Sequence, residues 1–69
     1  MTKPVLINGK DEAVRAATVA ELLRERGVPE TGRGVAVAVN RAVVPRAEWG
    51  TTPIAAGDQV EIIRPIVGG

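Results

Sequence analysis

Residues 18–27 read TVAELLRERG, and they predict the one helix around which the rest of the chain is arranged. Thr18 and Glu21 have the spacing of a capping box. In this motif the Thr18 hydroxyl accepts from the Glu21 amide, and the Glu21 carboxylate reaches back to the Thr18 backbone N–H. Apolar residues then recur at intervals of three and four, and Gly27 supplies the left-handed position that commonly ends a helix. Because a helix of about two turns is marginal alone, we expect it to pack on a sheet.

Apolar runs on both sides of this helix predict the sheet. PVLI is followed by Asn8-Gly9, the strongest two-residue hairpin signal because both residues tolerate positive φ. We expect residues 10–16 to return as a second strand with Val14 inward. After the helix, residues 28–34 have the composition of a flexible connection. VAVAV at residues 35–39 alternates Val with Ala and is expected to be the central strand.

The second half of the chain continues with short elements. We expect a turn at Asn40-Arg41, a short strand over residues 42–44 and a single helical turn over residues 46–49. Trp49 is expected to cover one end of an aliphatic core, since the chain has one Trp and no Phe or Tyr. Residues 60–64, VEIIR, are expected to form the last strand.

Composition and charge limit the possible functions. The chain has 69 residues, 45% of them hydrophobic and 25% charged, which is typical of one small globular domain. Nine basic and eight acidic residues leave a net charge of +1, which argues against attachment to nucleic acid or to an anionic membrane. No apolar run approaches the roughly 20 residues that span a bilayer, and we expect a cytoplasmic protein.

The chain has no His, Cys, Ser or Tyr, so the usual catalytic nucleophiles and the usual neutral-pH base are missing. The carboxylates have structural explanations: Glu21 and Glu25 lie on the helix, while Asp58 and Glu61 flank a turn and a strand. We therefore expect no catalytic side chain, no metal site and no cofactor bound by this chain.

The order strand, strand, helix, strand, short strand, strand predicts an α+β fold. We expect a mixed sheet of four to five strands with the helix across one face and the first and last strands as parallel neighbours at its centre, as in the ubiquitin-like β-grasp. Residues 1–64 would form this domain. Residues 65–69 would form a flexible C-terminal tail ending in Gly-Gly.

The sequence resembles the ThiS family, the bacterial sulfur carriers of thiamin biosynthesis, over almost its entire length. The more specific part runs from Asn40 through VVPRAEW at residues 43–49, because a diglycine end is shared by ubiquitin-like proteins generally. The matching segments are LING at 6–9, TVAELL at 18–23, VAVN at 37–40, VVPRAEW at 43–49, GDQVEI at 57–62 and the terminal Gly68-Gly69.

The resemblance implies a carrier that is acted on by an enzyme. A ThiF-like adenylyltransferase would activate the carboxylate of Gly69 with ATP and Mg²⁺, both held by that partner. A sulfur-donating persulfide protein would then supply the sulfur of a C-terminal thiocarboxylate. A ThiG-like thiazole synthase would receive the sulfur for the thiazole of thiamin.

The tail residues suit this role physically. Gly68 and Gly69 have no Cβ and can therefore enter a narrow channel in a partner. Pro65 cannot donate to a sheet ladder and should release the chain from the sheet, and the apolar Ile66 and Val67 could anchor it in a groove. From Arg64 to Gly69 an extended chain reaches about 20 Å at about 3.3 Å per residue.

A docking surface is also predicted. If Ile62 points inward, Ile63 points outward, and with Ala36 and Ala38 on an adjacent strand it would form an apolar patch for the activating enzyme. Asp58 and Glu61 are candidates for charged contacts with the same partner, with a solvated turn as their alternative role.

Three other functions remain compatible with these residues. A small subunit of molybdopterin synthase would use the same diglycine to deliver sulfur to a pterin precursor. A ubiquitin-like modifier would join Gly69 to a target lysine. A passive β-grasp binding module would have no chemistry at its C-terminus.

Overall fold

The computed structural model describes residues 1–29 and 32–64, which contain five strands, one α-helix and one turn of 3₁₀ helix. In chain order these are β1 (Lys3–Ile7), β2 (Lys10–Val14), α1 (Val19–Glu25), β3 (Ala36–Val39), β4 (Ala42–Val43), the 3₁₀ turn (Arg46–Glu48) and β5 (Gln59–Ile63). The predicted order of elements is confirmed. In the described part of the chain, no helix is long and apolar enough to cross a membrane.

Both tight turns are set by residues with positive φ. Asn8 and Gly9 have φ of 51° and 83° and join β1 to β2, while Asn40 and Arg41 have φ of 50° and 69° and join β3 to β4. Positive φ at both central residues defines the type I′ turn, whose twist matches that of the flanking strands. Both predicted turns are confirmed.

The five strands form one mixed sheet in the order β2-β1-β5-β3-β4. β1 and β5 are parallel, with Leu6 opposite Gln59 and Ile7 opposite Val60, and the other pairings are antiparallel. The prediction of parallel first and last strands at the centre is confirmed. The expectation that residues 35–39 form the central strand is wrong, because β3 lies between β5 and the edge strand β4.

Helix α1 has the predicted signals at both ends. Thr18 Oγ1 accepts from the Glu21 amide at 3.3 Å, although the Glu21 carboxylate meets the Thr18 hydroxyl at 3.4 Å and not its backbone. At the other end Gly27 has a φ of 77°, and the Val28 amide donates to the Leu23 carbonyl at 2.9 Å. This pattern of bonds ends the helix as a Schellman motif.

A single aliphatic core lies between α1 and the inner face of the sheet. The buried residues alternate along the strands and recur at helical spacing on α1. They are Val5, Ile7, Val14, Ala16, Val19, Leu22, Leu23, Val28, Val37, Val44, Trp49, Ile54, Val60 and Ile62. Val14 and Trp49 are buried as expected, whereas Val35 and Val39 are only partly buried and pack against this core.

Trp49 closes one end of the core and is also hydrogen-bonded. Its Nε1 donates to the Val44 carbonyl at 2.9 Å, so the indole is held in one orientation. Gly32 is buried against the ring, where a Cβ would lie 2.5 Å from Cζ3 of the indole. The segment expected to be a flexible connection is therefore packed at Gly32.

Some strand bounds differ from expectation. β2 ends at Val14 instead of residue 16, β4 ends at Val43, and β5 begins and ends one residue early, at Gln59 and Ile63. These differences are one or two residues at strand ends, where periodicity carries no information about the residue at which pairing starts or stops.

Candidate docking face and the end of strand β5

The residues with the predicted chemistry lie just beyond the described part of the chain. Pro65, Ile66, Val67, Gly68 and Gly69 were predicted to form the tail, and all five lie outside the described residues. The domain boundary between residues 64 and 65 therefore stays a prediction. What the structure positions is the outer face of the sheet and the strand that leads toward those residues.

The outer face of the sheet carries the predicted apolar patch. Ile62 is 9% exposed and points into the core, whereas Ile63 is 61% exposed and points away from it. Ile63 lies opposite Ala36 in the antiparallel ladder, and Glu61 lies opposite Ala38. Because β3 and β5 are direct neighbours, the residues proposed for docking lie together on one surface.

Val43 belongs to the same surface and was missed by sequence reasoning. It lies opposite Ala38 on the edge strand β4 and is 76% exposed. The sequence VV at positions 43 and 44 does not show which of the two valines is inward. The structure decides it: Val44 is buried, and its carbonyl accepts from the Trp49 indole, whereas Val43 is exposed. Ile63, Ala36, Ala38 and Val43 together are called the outer apolar face.

The two predicted acidic contacts have different surroundings. Asp58 Oδ2 accepts from the Ala55 amide at 2.8 Å, and its Oδ1 accepts from Asn40 Nδ2 at 3.1 Å. This carboxylate therefore organises the turn before β5. Glu61 is exposed in the middle of β5, beside Ala38 of the outer apolar face. Contact of either residue with a partner stays a prediction, and the geometry favours Glu61.

The end of β5 is held by a side chain from the first hairpin. Asn8 Oδ1 accepts from the Ile62 amide at 2.9 Å, and Asn8 Nδ2 donates to the Ile62 carbonyl at 3.2 Å. Arg64 adds a second attachment, because its Nη2 donates to the carbonyl of Arg26 at the end of α1 at 2.8 Å. Sequence reasoning assigned Asn8 only a role in the turn, since no local pattern connects it with a residue 54 positions later.

A charged contact holds the same end of the helix to the sheet. The Arg26 guanidinium forms an ion pair with the Glu12 carboxylate of β2, and both side chains are about one-third exposed. Within residues 1–29 and 32–64, no three His, Cys, Asp or Glu side chains come together in a way that could hold a metal ion.

A five-stranded mixed sheet with parallel first and last strands at its centre and one helix across it defines a ubiquitin-like β-grasp protein. The crystal structure of a thiamine biosynthesis protein (ThiS) from Geobacter metallireducens has this fold. It superposes with a TM-score of 0.77 at 32% identity, over 96% of this chain and 99% of that one. An NMR structure of a thiamine biosynthesis protein from the same organism gives a TM-score of 0.79 at 32% identity, over 96% of this chain and 87% of that one.

The sequence comparisons define the family within this class. The ThiS family model matches residues 4–69. The chain is also 36% identical over 62 residues to the sulfur carrier protein ThiS of Escherichia coli strain K12, covering 86% of this chain and 91% of that protein. The chain belongs to the ThiS family.

Proposed function

We propose that this chain is a sulfur carrier whose reactive group is the C-terminal carboxylate of Gly69. The observation that supports this most directly is the match of the ThiS family model through residue 69, together with the similarity to a protein named as a sulfur carrier. The fold adds support, because β5 carries Ile63 of the outer apolar face and is the last strand before the terminal Gly68-Gly69.

The carrier chemistry begins with activation, because nucleophiles do not attack a carboxylate at neutral pH. An oxygen of the Gly69 carboxylate attacks the α-phosphorus of ATP, the bond to the bridging oxygen breaks, and pyrophosphate leaves. The product is an acyl-adenylate, from which AMP departs readily. A ThiF-like adenylyltransferase would hold the ATP and Mg²⁺ and perform this step.

Sulfur then replaces AMP at the same carbonyl carbon. Hydrosulfide would give the thiocarboxylate directly. The persulfide of a sulfur-donating protein would give an acyl disulfide, whose S–S bond a thiol must reduce to release the thiocarboxylate. A ThiG-like thiazole synthase would receive the sulfur for the thiazole ring of thiamin.

The outer apolar face is the surface on which the activating enzyme would dock. Val43 and Ile63 are large apolar residues exposed on neighbouring parts of one sheet surface, with only Ala side chains between them. Low relief and exposed apolar area suit docking against another protein. Since Ile63 is also the last residue of β5, a partner bound here would be close to the start of residues 65–69.

Intact-protein mass spectrometry tests the proposal. The chain is incubated with a ThiF-like adenylyltransferase, ATP, Mg²⁺ and a sulfide source, and we expect a mass increase equal to the exchange of one oxygen for one sulfur. Fragmentation should place the exchange at Gly69. Omitting ATP is the matched control and should leave the mass unchanged.

The alternatives predict different outcomes. Covalent adducts with lysines of other proteins would identify a modifier, and no mass change under any condition would identify a binding module without C-terminal chemistry. Sulfur transfer to the large subunit of a molybdopterin synthase, but not to a thiazole synthase, would assign the carrier to the pterin pathway.

A further inference from the structure

The parallel ladder between β1 and β5 ends before β5 does. Ile7 lies opposite Val60 in the last pair of the register, and the Asn8 amide donates to the Val60 carbonyl at 2.9 Å. At Asn8 the backbone adopts a φ of 51° and turns back into β2. The backbone of β1 therefore no longer accompanies β5, although β5 continues to Ile63.

The side chain of Asn8 supplies the missing rung. A carboxamide carries one carbonyl acceptor and an N–H donor, the same pair that a peptide group offers. Its Oδ1 accepts from the Ile62 amide and its Nδ2 donates to the Ile62 carbonyl, at 2.9 and 3.2 Å. The ladder is thus extended beyond the point at which the main chain leaves it.

With the Asn8 side chain in place, the end of β5 has contacts on both of its edges. On the opposite side of β5, Ile62 lies opposite Val37 and Ile63 lies opposite Ala36. Arg64 is then tied to the carbonyl of Arg26. Ile62 therefore lies between β3 and Asn8, and its own N–H and C=O groups are bonded to Asn8.

Asn40 has the equivalent role at the opposite end of the same strand. It also lies in a type I′ turn with positive φ, and its Oδ1 accepts from the Gln59 amide at 3.0 Å. The two asparagines thus cap the start and the end of β5. Only Asn8 acts at the end that leads toward Gly69, which makes Asn40 a matched control.

We propose that Asn8 is a positioning residue for the sulfur-carrier reaction: its carboxamide fixes the end of β5, the strand after which residues 65–69 follow in the sequence. The inference rests on the proposed function. It adds to that function a residue that contacts neither the partner nor the reacting atoms. A strand end that is already held in place loses less conformational entropy when a partner binds beside it.

The test compares Asn8→Gly with Asn40→Gly. Glycine keeps the positive φ of either turn and removes only the carboxamide. Asn8→Asp is a third variant, which retains the acceptor for the Ile62 amide and loses the donor to its carbonyl. Each variant is measured in the full chain by urea unfolding, by amide hydrogen exchange and by the rate of thiocarboxylate formation with a ThiF-like adenylyltransferase.

In Asn8→Gly we expect the Ile62 amide to exchange about tenfold faster, after correction for global stability, because two hydrogen bonds are lost. The kcat/KM for sulfur loading should fall by about tenfold because KM rises. The value of kcat should stay unchanged, since the reacting group at Gly69 is intact. For Asn8→Asp, both the exchange rate at Ile62 and the kcat/KM for loading should lie between the values of Asn8→Gly and the parent. Asn40→Gly should load within about twofold of the parent at an equal folded fraction.

Equal kcat/KM for Asn8→Gly and Asn40→Gly at an equal folded fraction would overturn the inference, as would unchanged exchange at Ile62. Should the parent itself gain no sulfur, the proposed function fails. The exchange measurement then decides separately whether Asn8 holds the strand end.

Discussion

At the scale of single residues, Ile63 is the side chain that we expect to contribute most to the proposed docking. It is the large apolar side chain at the end of β5, 61% exposed, and its partner on the neighbouring strand is Ala36. Burying such a side chain contributes about 1.5–3 kcal/mol, whereas a buried unpaired carboxylate is costly. Because Ile63 makes no contribution to the buried core, changing it separates binding from folding.

For Ile63→Asp we expect a free energy of unfolding within about 0.5 kcal/mol of the parent. Its affinity for the activating enzyme should be at least about tenfold weaker. Isothermal titration calorimetry against the adenylyltransferase measures this. Ala13→Asp is the control: Ala13 is an exposed position on the edge strand β2, two strands away from β5 in the sheet. Equal affinity of Ile63→Asp and the parent would remove the outer apolar face from the docking surface.

Gly32 is required by the position of Trp49. It has a φ of 59°, and a Cβ would lie 2.5 Å from Cζ3 and 2.7 Å from Cη2 of the buried indole. Both a strained backbone and overpacking oppose any other residue here.

We expect Gly32→Ala to lower the free energy of unfolding by about 2 kcal/mol and to change the fluorescence of Trp49. Gly50→Ala is the matched control, because a Cβ at that position would meet nothing within 4 Å and the φ of Gly50 is not positive. Urea unfolding followed by tryptophan fluorescence measures both variants. A Gly32→Ala variant as stable as the Gly50→Ala variant would show that the ring moves aside without cost.

Among the elements, α1 depends most on its caps. It has seven residues, fewer than the length at which helices are stable alone in water. Its stability comes from burying Val19, Leu22 and Leu23 against the sheet, with the Thr18 hydroxyl satisfying an amide of the first turn. The Arg26–Glu12 ion pair adds little, because its two side chains are about one-third exposed.

We expect Thr18→Ala to destabilise the protein by about 1 kcal/mol, with the same core and the same docking properties. Thr18→Ser keeps an acceptor at the same position and should stay within a few tenths of a kcal/mol of the parent. Chemical denaturation followed by circular dichroism distinguishes them. If Ser and Ala proved equally destabilising, the hydroxyl would not be the group that caps the helix.

Taken as a whole, the molecule combines a packed β-grasp fold with a proposed reactive terminus. Since the reacting carboxylate is proposed to be that of Gly69, its position at the end of the chain is part of the chemistry. An additional residue would move the carboxylate by about 3.3 Å and add a Cβ where the proposal requires none.

We expect a variant with one alanine added after Gly69 to lose sulfur loading almost completely while it folds and binds the activating enzyme normally. A variant with one alanine added before Met1 is the control and should load like the parent. Intact-mass spectrometry measures loading and also verifies that the extra residue is still present. Full loading of the untrimmed C-terminal variant would contradict the proposed chemistry.

Much of the fold could be predicted because its signals are local. Positive-φ residues at Asn8-Gly9 and Asn40-Arg41, the capping residue Thr18 and the alternation of Ile62 with Ile63 all act over a few residues. The outer apolar face followed from the same alternation, except for Val43. The ThiS resemblance rested on motifs in the printed sequence, and the family comparison confirmed it. The cytoplasmic location and the tail chemistry stay predictions.

Tertiary packing decided the features that join distant parts of the chain. The order of strands placed β5, not β3, in the middle of the sheet, and packing left Val44 buried and Val43 exposed. Asn8 met Ile62 only because the first and last strands became neighbours. Dihedral preference and periodicity act within a few residues, whereas these contacts depend on which surfaces bury each other, so they arise only when the whole chain is packed.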